Sequence, residues 1–369
     1  MHTISSPFTV VLIVPTGIGA AIGGYAGDAL PVARAMAQVA DCLITHPNVL
    51  NGAQMYWPMK NVLYVEGYGL DQFAAGQWGL TPVRQNRIGL VLDQGIEEDL
   101  KLRHLQAADA ARATLGLSLT DYVVTDMPLG VELRTAQSGA TWGTIQNPDS
   151  LLRSVDKLIR TAGAEAIAVV ARFPDDEDDQ ALENYRHGHG VDPLAGAEAV
   201  ISHLVVKTFQ IPCAHAPALS VLPIDPHLSP RAAAEELGYT FLPCVLAGLS
   251  YAPQFRPLKQ TVGKRHSQYP HNVSTRRATT PILPEHVDAV VVPESSCGGS
   301  AVLSFVETDT QIITVADNQT TMQVSSRQLN LTSINVQSYL EALGVLVAQK
   351  SGVSLASLRP HIAPIVALS

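Results

Sequence analysis

Short apolar runs recur along the chain, separated by stretches in which apolar residues return every three or four positions. Runs such as Val10-Val11-Leu12-Ile13-Val14 and Val290-Val291-Val292 predict buried strands, and the intervening periodicity predicts helices. Strands are expected over residues 8–15, 42–45, 61–66, 87–92, 120–125, 165–171, 211–214, 241–247, 288–293 and 311–316. The helices announce their own ends. Asn147-Pro148 supplies a cap and a proline at the first helical position, Leu151, Leu152, Val155, Leu158 and Ile159 share one face, and Gly163 stops the helix. Asp192-Pro193 and Ser229-Pro230 repeat the start signal, the second helix closing at Gly238. A helix is also expected over roughly 333–350, with Leu340, Leu343, Leu346 and Val347 at helical spacing. Strands alternating with helices predict an α/β fold, a mostly parallel sheet with crossover helices. The chain reads as one unit over 1–369, divisible into lobes at 1–140 and 141–369.

One stretch breaks the rhythm. From 252 to 284 no apolar period is sustained and no acidic residue occurs, while Arg256, Lys259, Lys264, Arg265, Arg276 and Arg277 do. Long irregular segments inside compact domains are often lids, so a basic lid over an anionic ligand is one reading and a solvated excursion the other.

Composition narrows the class. With 46% hydrophobic and 15% charged residues in 369, the chain is long enough for a large core and unlike a disordered protein. No apolar run approaches the roughly 18 residues of a membrane span. The first residues, MHTISSPF, carry no basic charge ahead of an apolar stretch, unlike a signal peptide. Cys42, Cys213, Cys244 and Cys297 are scattered, which fits free thiols and a cytoplasmic setting. A balance of 24 basic to 33 acidic residues, net −9, argues against general nucleic-acid binding.

Candidate chemistry gathers where strands end. The first strand runs into Pro15-Thr16-Gly17-Ile18-Gly19, whose backbone can approach a ligand, making Thr16, Gly17 and Gly19 binding candidates; a purely structural turn is the alternative. Ile22 stands where a dinucleotide fingerprint needs Gly or Ala, and no phosphate-loop lysine follows. After the second strand come His46, Asn48 and Asn51, a base with two orienting donors, or a loop closed by backbone hydrogen bonds. Arg172 ends another strand ahead of the solvated acidic run Asp175–Asp179. His187 and His189 sit among glycines without a third ligand, so no metal site is expected, and His203 lies on the helix that follows. His215, after the run ending at 214, is expected near the edge that carries His46. The last loop, Glu294-Ser295-Ser296-Cys297-Gly298-Gly299-Ser300, places a thiol at a helix start, where its pKa would fall, or else binds an anion through Ser295, Ser296, Gly298 and Gly299.

The segments VPTGIGAAIGGYAGDALP, LITHPNVLNGA, NPDSLLRSVDKLI, AEAIAVVARFPDD, GVDPLAGAEAVISHLVV, PCAHAPAL, SPRAAAEELGYTFLPCVLAGLS and VVVPESSCGGSAVLSF together resemble the uncharacterised family of cyanobacteria and plastid-bearing plants catalogued only as a domain of unknown function. The resemblance implies a cytoplasmic or stromal setting and one unit of this length, and carries over no catalytic residue. The residues themselves favour an enzyme acting on a small anionic metabolite by hydrolysis, acyl transfer or isomerisation, with His46, Arg172, His215 and Cys297 as catalytic candidates. Cys42 and Cys297 raise a subsidiary racemase or lyase reading. The alternatives are a non-catalytic metabolite-binding or assembly protein of a photosynthetic cell, and a partner docking through the basic segment. No cofactor is assigned, and a homodimer is the default assembly.

Overall fold

The computed structural model describes residues 6–52, 57–174, 179–220, 223–236, 241–258 and 280–367. The strands are β1 (Thr9–Leu12), β2 (Cys42–Thr45), β3 (Val62–Tyr64), β4 (Trp78–Thr81), β5 (Ile88–Leu92), β6 (Leu119–Val124), β7 (Val131–Thr135), β8 (Thr141–Ile145), β9 (Ala166–Arg172), β10 (Cys213–Ala218), β11 (Gln254–Pro257), β12 (Ala289–Pro293), β13 (Gln311–Val315) and β14 (Ile334–Val336). The helices are α1 (Leu30–Val39), α2 (Pro47–Leu50), α3 (Gly67–Ala74), α4 (Glu98–Leu115), α5 (Pro148–Ala162), α6 (Asp179–Arg186), α7 (Ala195–Phe209), α8 (Pro230–Glu236), α9 (Leu242–Ser250), α10 (Ser300–Val306) and α11 (Tyr339–Lys350).

Two parallel sheets carry the fold. One has six strands in the order β14-β13-β12-β1-β2-β3, the other four in the order β10-β9-β5-β6. The central strands are buried at nearly every position because both of their faces are covered. Val10 and Leu12 of β1 share one core with Leu90 and Leu92 of β5, under α1, α9 and α11. Val11 shares the second core with Val91 and Val169, under α3, α5, α7 and α10. Among the described residues there are also two antiparallel ribbons, β4–β11 and β7–β8.

The α/β class and most strand positions follow the hydrophobic pattern, and the differences have local causes. The run at 241–247 is a helix, α9, rather than a strand. It is buried on nearly every side, so it lacks the periodicity that separates the two, and Pro243 at its first turn suits a helix start and not a central strand. Residues 334–336 form β14, so α11 begins only at Tyr339, where the Ser338 hydroxyl accepts from the Glu341 N–H at 3.3 Å. Its buried face runs through Tyr339, Ala342 and Leu346, and Leu340 points outward, 80% exposed. β4, β7, β8 and β11 were not foreseen, being short or too polar to alternate. α5 has the bounds its caps predicted, with Gly163 at φ 65°. α7 starts at Ala195 rather than at Pro193, with Asp192 accepting from the Leu194 N–H.

The basic segment leaves and rejoins the fold on one ribbon: β11 pairs with β4, and Ile282 bridges Leu80. Arg256 is exposed on β11, whereas Lys259, Lys264, Arg265, Arg276 and Arg277, like Gly238 and residues 175–178, lie outside the described residues. The glycine loop after β1 is fixed to its neighbours. Gly27 donates to the Asn48 carbonyl at 2.8 Å, has φ 86°, and a Cβ there would stand 1.9 Å from the Asn51 carbonyl oxygen. Gly27→Ala is therefore expected to cost about 2–4 kcal/mol, read as a fall in the urea midpoint with unchanged slope.

Candidate functional site

The C-terminal ends of β1, β2, β3 and β12 open on one side of a cleft of about 390 Å³, and α7 with the edge strand β10 closes the other. Strand ends of parallel sheets are where chain direction gathers loops, and here they bring together residues from six elements.

Glu66 follows β3 and caps α3. Its Oε2 accepts from the N–H groups of Tyr68 at 2.8 Å and Gly69 at 3.2 Å, and its Oε1 meets Nδ1 of His203 from α7. Glu66 is 4% exposed, a buried carboxylate satisfied by two helix N–H groups and an imidazole. Contact of Nδ1 with the carboxylate leaves Nε2 on the far side of the ring, the arrangement in which a carboxylate orients a histidine for proton transfer. Burial opposes charge on His203, but the hydrogen bond and charge of Glu66, the charge of Asp71 and the Ala199 carbonyl outweigh it, and the pKa rises above 6.5. Gly67 keeps this wall open, since a Cβ there would lie 3.1 Å from the His203 ring. Asp71, on the same helix, accepts from the Ala301 N–H of α10, and burial raises its pKa against His203 and that N–H.

On the same helix as His203, Glu198 and Ser202 lie one turn apart and flank His215. Ser202 Oγ is 3.2 Å from His215 Nδ1, and His215 Nε2 is 3.6 Å from Glu198 Oε2. His215 lies inside β10 rather than after it, facing α7.

His46 also lines the cleft, in a different state. Its Nε2 accepts from the Val14 N–H at 3.0 Å, and burial pushes its pKa down to about 4, so at neutral pH the ring is uncharged with its proton on Nδ1. It orients the β1 loop and is not a base with ordinary strength. As pH falls from about 6.5 to about 4, the unfolded chain binds a proton that folded His46 excludes, and stability falls by up to about 3 kcal/mol. Urea midpoints at pH 7 and pH 4.5 check this: the difference is expected to shrink in His46→Gln. Asn48 donates to the Gly23 carbonyl at 2.6 Å and Asn51 accepts from the Tyr64 hydroxyl at 2.9 Å, so both brace loops as well as lining the cleft.

Thr16, Ser296 and Gly299 line the cleft too. Gly17 and Gly19 are absent from its wall. Both have positive φ, and the Gly17 carbonyl accepts from the Thr141 N–H, pinning the loop to β8. Ser295 bonds Thr320 at 2.9 Å, and Gly298 packs on Val324. Arg172 ends β9 in the other sheet, ion-paired with Glu97 at 3.0 Å, and takes no part in the cleft. Cys297 is fully buried, with its thiol 3.4 Å from the Glu294 carbonyl. Burial and the Glu294 charge push it up to about 11, opposite to the lowering expected at a helix start. Cys297→Ala is expected to leave turnover within about twofold of wild type, and a competent nucleophile there would show as a loss of several orders.

None of the four cysteines forms a disulfide. Among the described residues no group of three or more His, Cys, Asp or Glu is placed to hold a metal ion, and His187 pairs with Asp225 at 2.7 Å. Among the described residues no helix is long and apolar enough to cross a membrane. Sequence reading passed over Glu66, Asp71, Glu198 and Ser202. Glu66 carried a usable signal, because it follows a strand as His46 does; helix α7 exposed its polar residues to no such rule.

The profile of a family described as "Protein of unknown function (DUF3326)" matches residues 9–359. The chain belongs to the DUF3326 family. The match spans every residue that lines the cleft. A Synechococcus sp. protein named an uncharacterized lipoprotein is 58% identical over 352 residues, covering 95% of this chain and 93% of that protein. No solved structure matches the chain.

Proposed function

We propose that this DUF3326 protein is an enzyme that transfers protons on a small polar metabolite held in the cleft, in a hydrolysis, acyl transfer or isomerisation. The observation that carries the reading is the Glu66–His203 pair: a buried carboxylate holding an imidazole in the wall of a cavity of ligand size. An imidazole whose pKa an adjacent carboxylate raises above 6.5 holds its proton more firmly than a free one, which suits a general acid or base. The described lining carries Glu66, Asp71 and Glu198 and no Lys or Arg. That favours a substrate rich in hydrogen-bond donors over the anionic metabolite that the glycine loops suggest, and the Ala301 N–H at the start of α10 is already taken by Asp71.

A cytoplasmic location belongs to this reading, since four cysteines outside any disulfide suit a reducing compartment. The Synechococcus relative's name makes a lipid-anchored location the competing placement, and cell fractionation decides between them.

The test is an ultrafiltrate of cell extract, holding its small metabolites and none of its enzymes, incubated with wild type and with His203→Ala and read by mass spectrometry. Depletion of a metabolite by wild type and not by the variant supports an enzyme. A metabolite retained by both and consumed by neither supports a binding protein and overturns the reading.

A further inference from the structure

We infer that Ser202 is a nucleophile activated by His215, and that the cleft takes an acyl substrate, an ester or thioester of a small polar acid. The inference rests on the reading of the cleft as a catalytic site and adds the reaction class.

The behaviour of other helical hydroxyls in this chain sets Ser202 apart. Thr114, Ser154, Thr161 and Thr208 each donate to the carbonyl four residues back, at 2.6–3.0 Å, as solvated or buried hydroxyls in helices commonly do. Ser202 Oγ instead lies 3.2 Å from His215 Nδ1, and its helix contact is a long 3.4 Å to the Ala199 carbonyl. Ser202 is 2% exposed and lines the cleft, so the approach to it is from the cleft.

On the other side of the ring Nε2 stands 3.6 Å from Glu198 Oε2, an ion-pair distance beyond hydrogen-bond reach, and in the tautomer with its proton on Nε2 the lone pair of Nδ1 faces the serine hydroxyl. Nucleophile and base stand in hydrogen-bond contact, with a carboxylate near the far nitrogen of the base, roles that geometry rather than chain order defines. Glu198 and Ser202 are four residues apart on one helix, so α7 presents both to β10 without any loop having to order.

Ser202 Oγ bonds to the acyl carbon while its proton passes to His215 Nδ1 and the carbonyl electrons move to oxygen. Collapse breaks the bond to the leaving alkoxide or thiolate, which departs with the proton from His215, leaving an acyl ester on Ser202. Water then attacks that ester, gives a proton to His215, and the acid leaves as Ser202 regains its proton.

Full-length wild type treated with a fluorophosphonate and digested for mass spectrometry tests this. The expected result is one label per chain on the peptide containing Ser202, none in Ser202→Ala, and labelling at least about tenfold slower in His215→Gln. Wild type that stays unlabelled at Ser202, or a His215→Gln rate equal to wild type, overturns the inference. So does metabolite depletion that survives Ser202→Ala but not His203→Ala, an outcome that leaves the acid–base reading standing. The labelled peptide of wild type decides the matter even if a variant fails to fold.

Discussion

His203→Ala is expected to lower turnover by about 10²–10⁴-fold with the fold intact, because removal of a positioned acid or base forfeits that much of a proton-transfer rate. The imidazole is 42% exposed on its side chain, so its loss leaves no sealed cavity. Glu66→Gln is expected to act through the same ring. The amide oxygen can still accept from Tyr68 and Gly69, but the charge that outweighs burial at His203 is gone, and the ring's pKa falls. The wild-type pH–rate profile is thus expected to bend above pH 6.5 and the variant's to bend at lower pH. The stability linkage has the same origin. A histidine raised in the folded state contributes its stability in full below pH 6.5 and loses it as pH rises through the folded value. Kinetics of both variants across pH 5 to 9 check the expectation, and unchanged rates in both would remove the pair from the mechanism.

Phe305→Ala is expected to cost about 3–5 kcal/mol, the range for deleting a fully buried aromatic ring. Phe305 of α10 is 0% exposed and stands edge-on to Phe73 of α3, centroids 6.1 Å apart. Those rings join the two helices whose starts build one wall of the cleft, α3 capped by Glu66 and α10 met by Asp71. The variant is therefore expected to lose turnover even below its unfolding transition, because Asp71 and Ser300 lose their common support. Urea unfolding gives the stability and initial rates at low temperature give the second effect. A loss under about 1 kcal/mol would mean that the α3–α10 contact does not hold the wall.

The hydrophobic pattern makes the sheets legible because parallel strands buried on both faces have no polar alternation to confuse them, as in β1, β9 and β12. The same rule fails for α9, which is apolar all round, and for β14, which is short and half-exposed at a sheet edge. At the site, the edge rule points to His46 and Thr16, which do line the cleft, and equally to Arg172, which ends a strand of the other sheet. Strand ends are visible in a sequence, but the sheet each strand joins is decided by long-range pairing. Cys297 shows the opposite limit. Its neighbours Ser296 and Gly299 reach the cleft while its own side chain turns into the core, a difference of side-chain direction that small-residue composition does not encode. Glu66 and His203 are 137 positions apart, and only the packing of α7 on α3 brings them together.

The central claim is that Glu66 raises the proton affinity of His203 in the cleft wall, and an NMR titration of the histidine ring signals tests it directly. The account predicts a His203 pKa above 6.5 in wild type and a lower one in Glu66→Gln, with His46 remaining neutral down to about pH 4 in both. A wild-type His203 that titrates at or below 6.5, unaffected by Glu66→Gln, would contradict it.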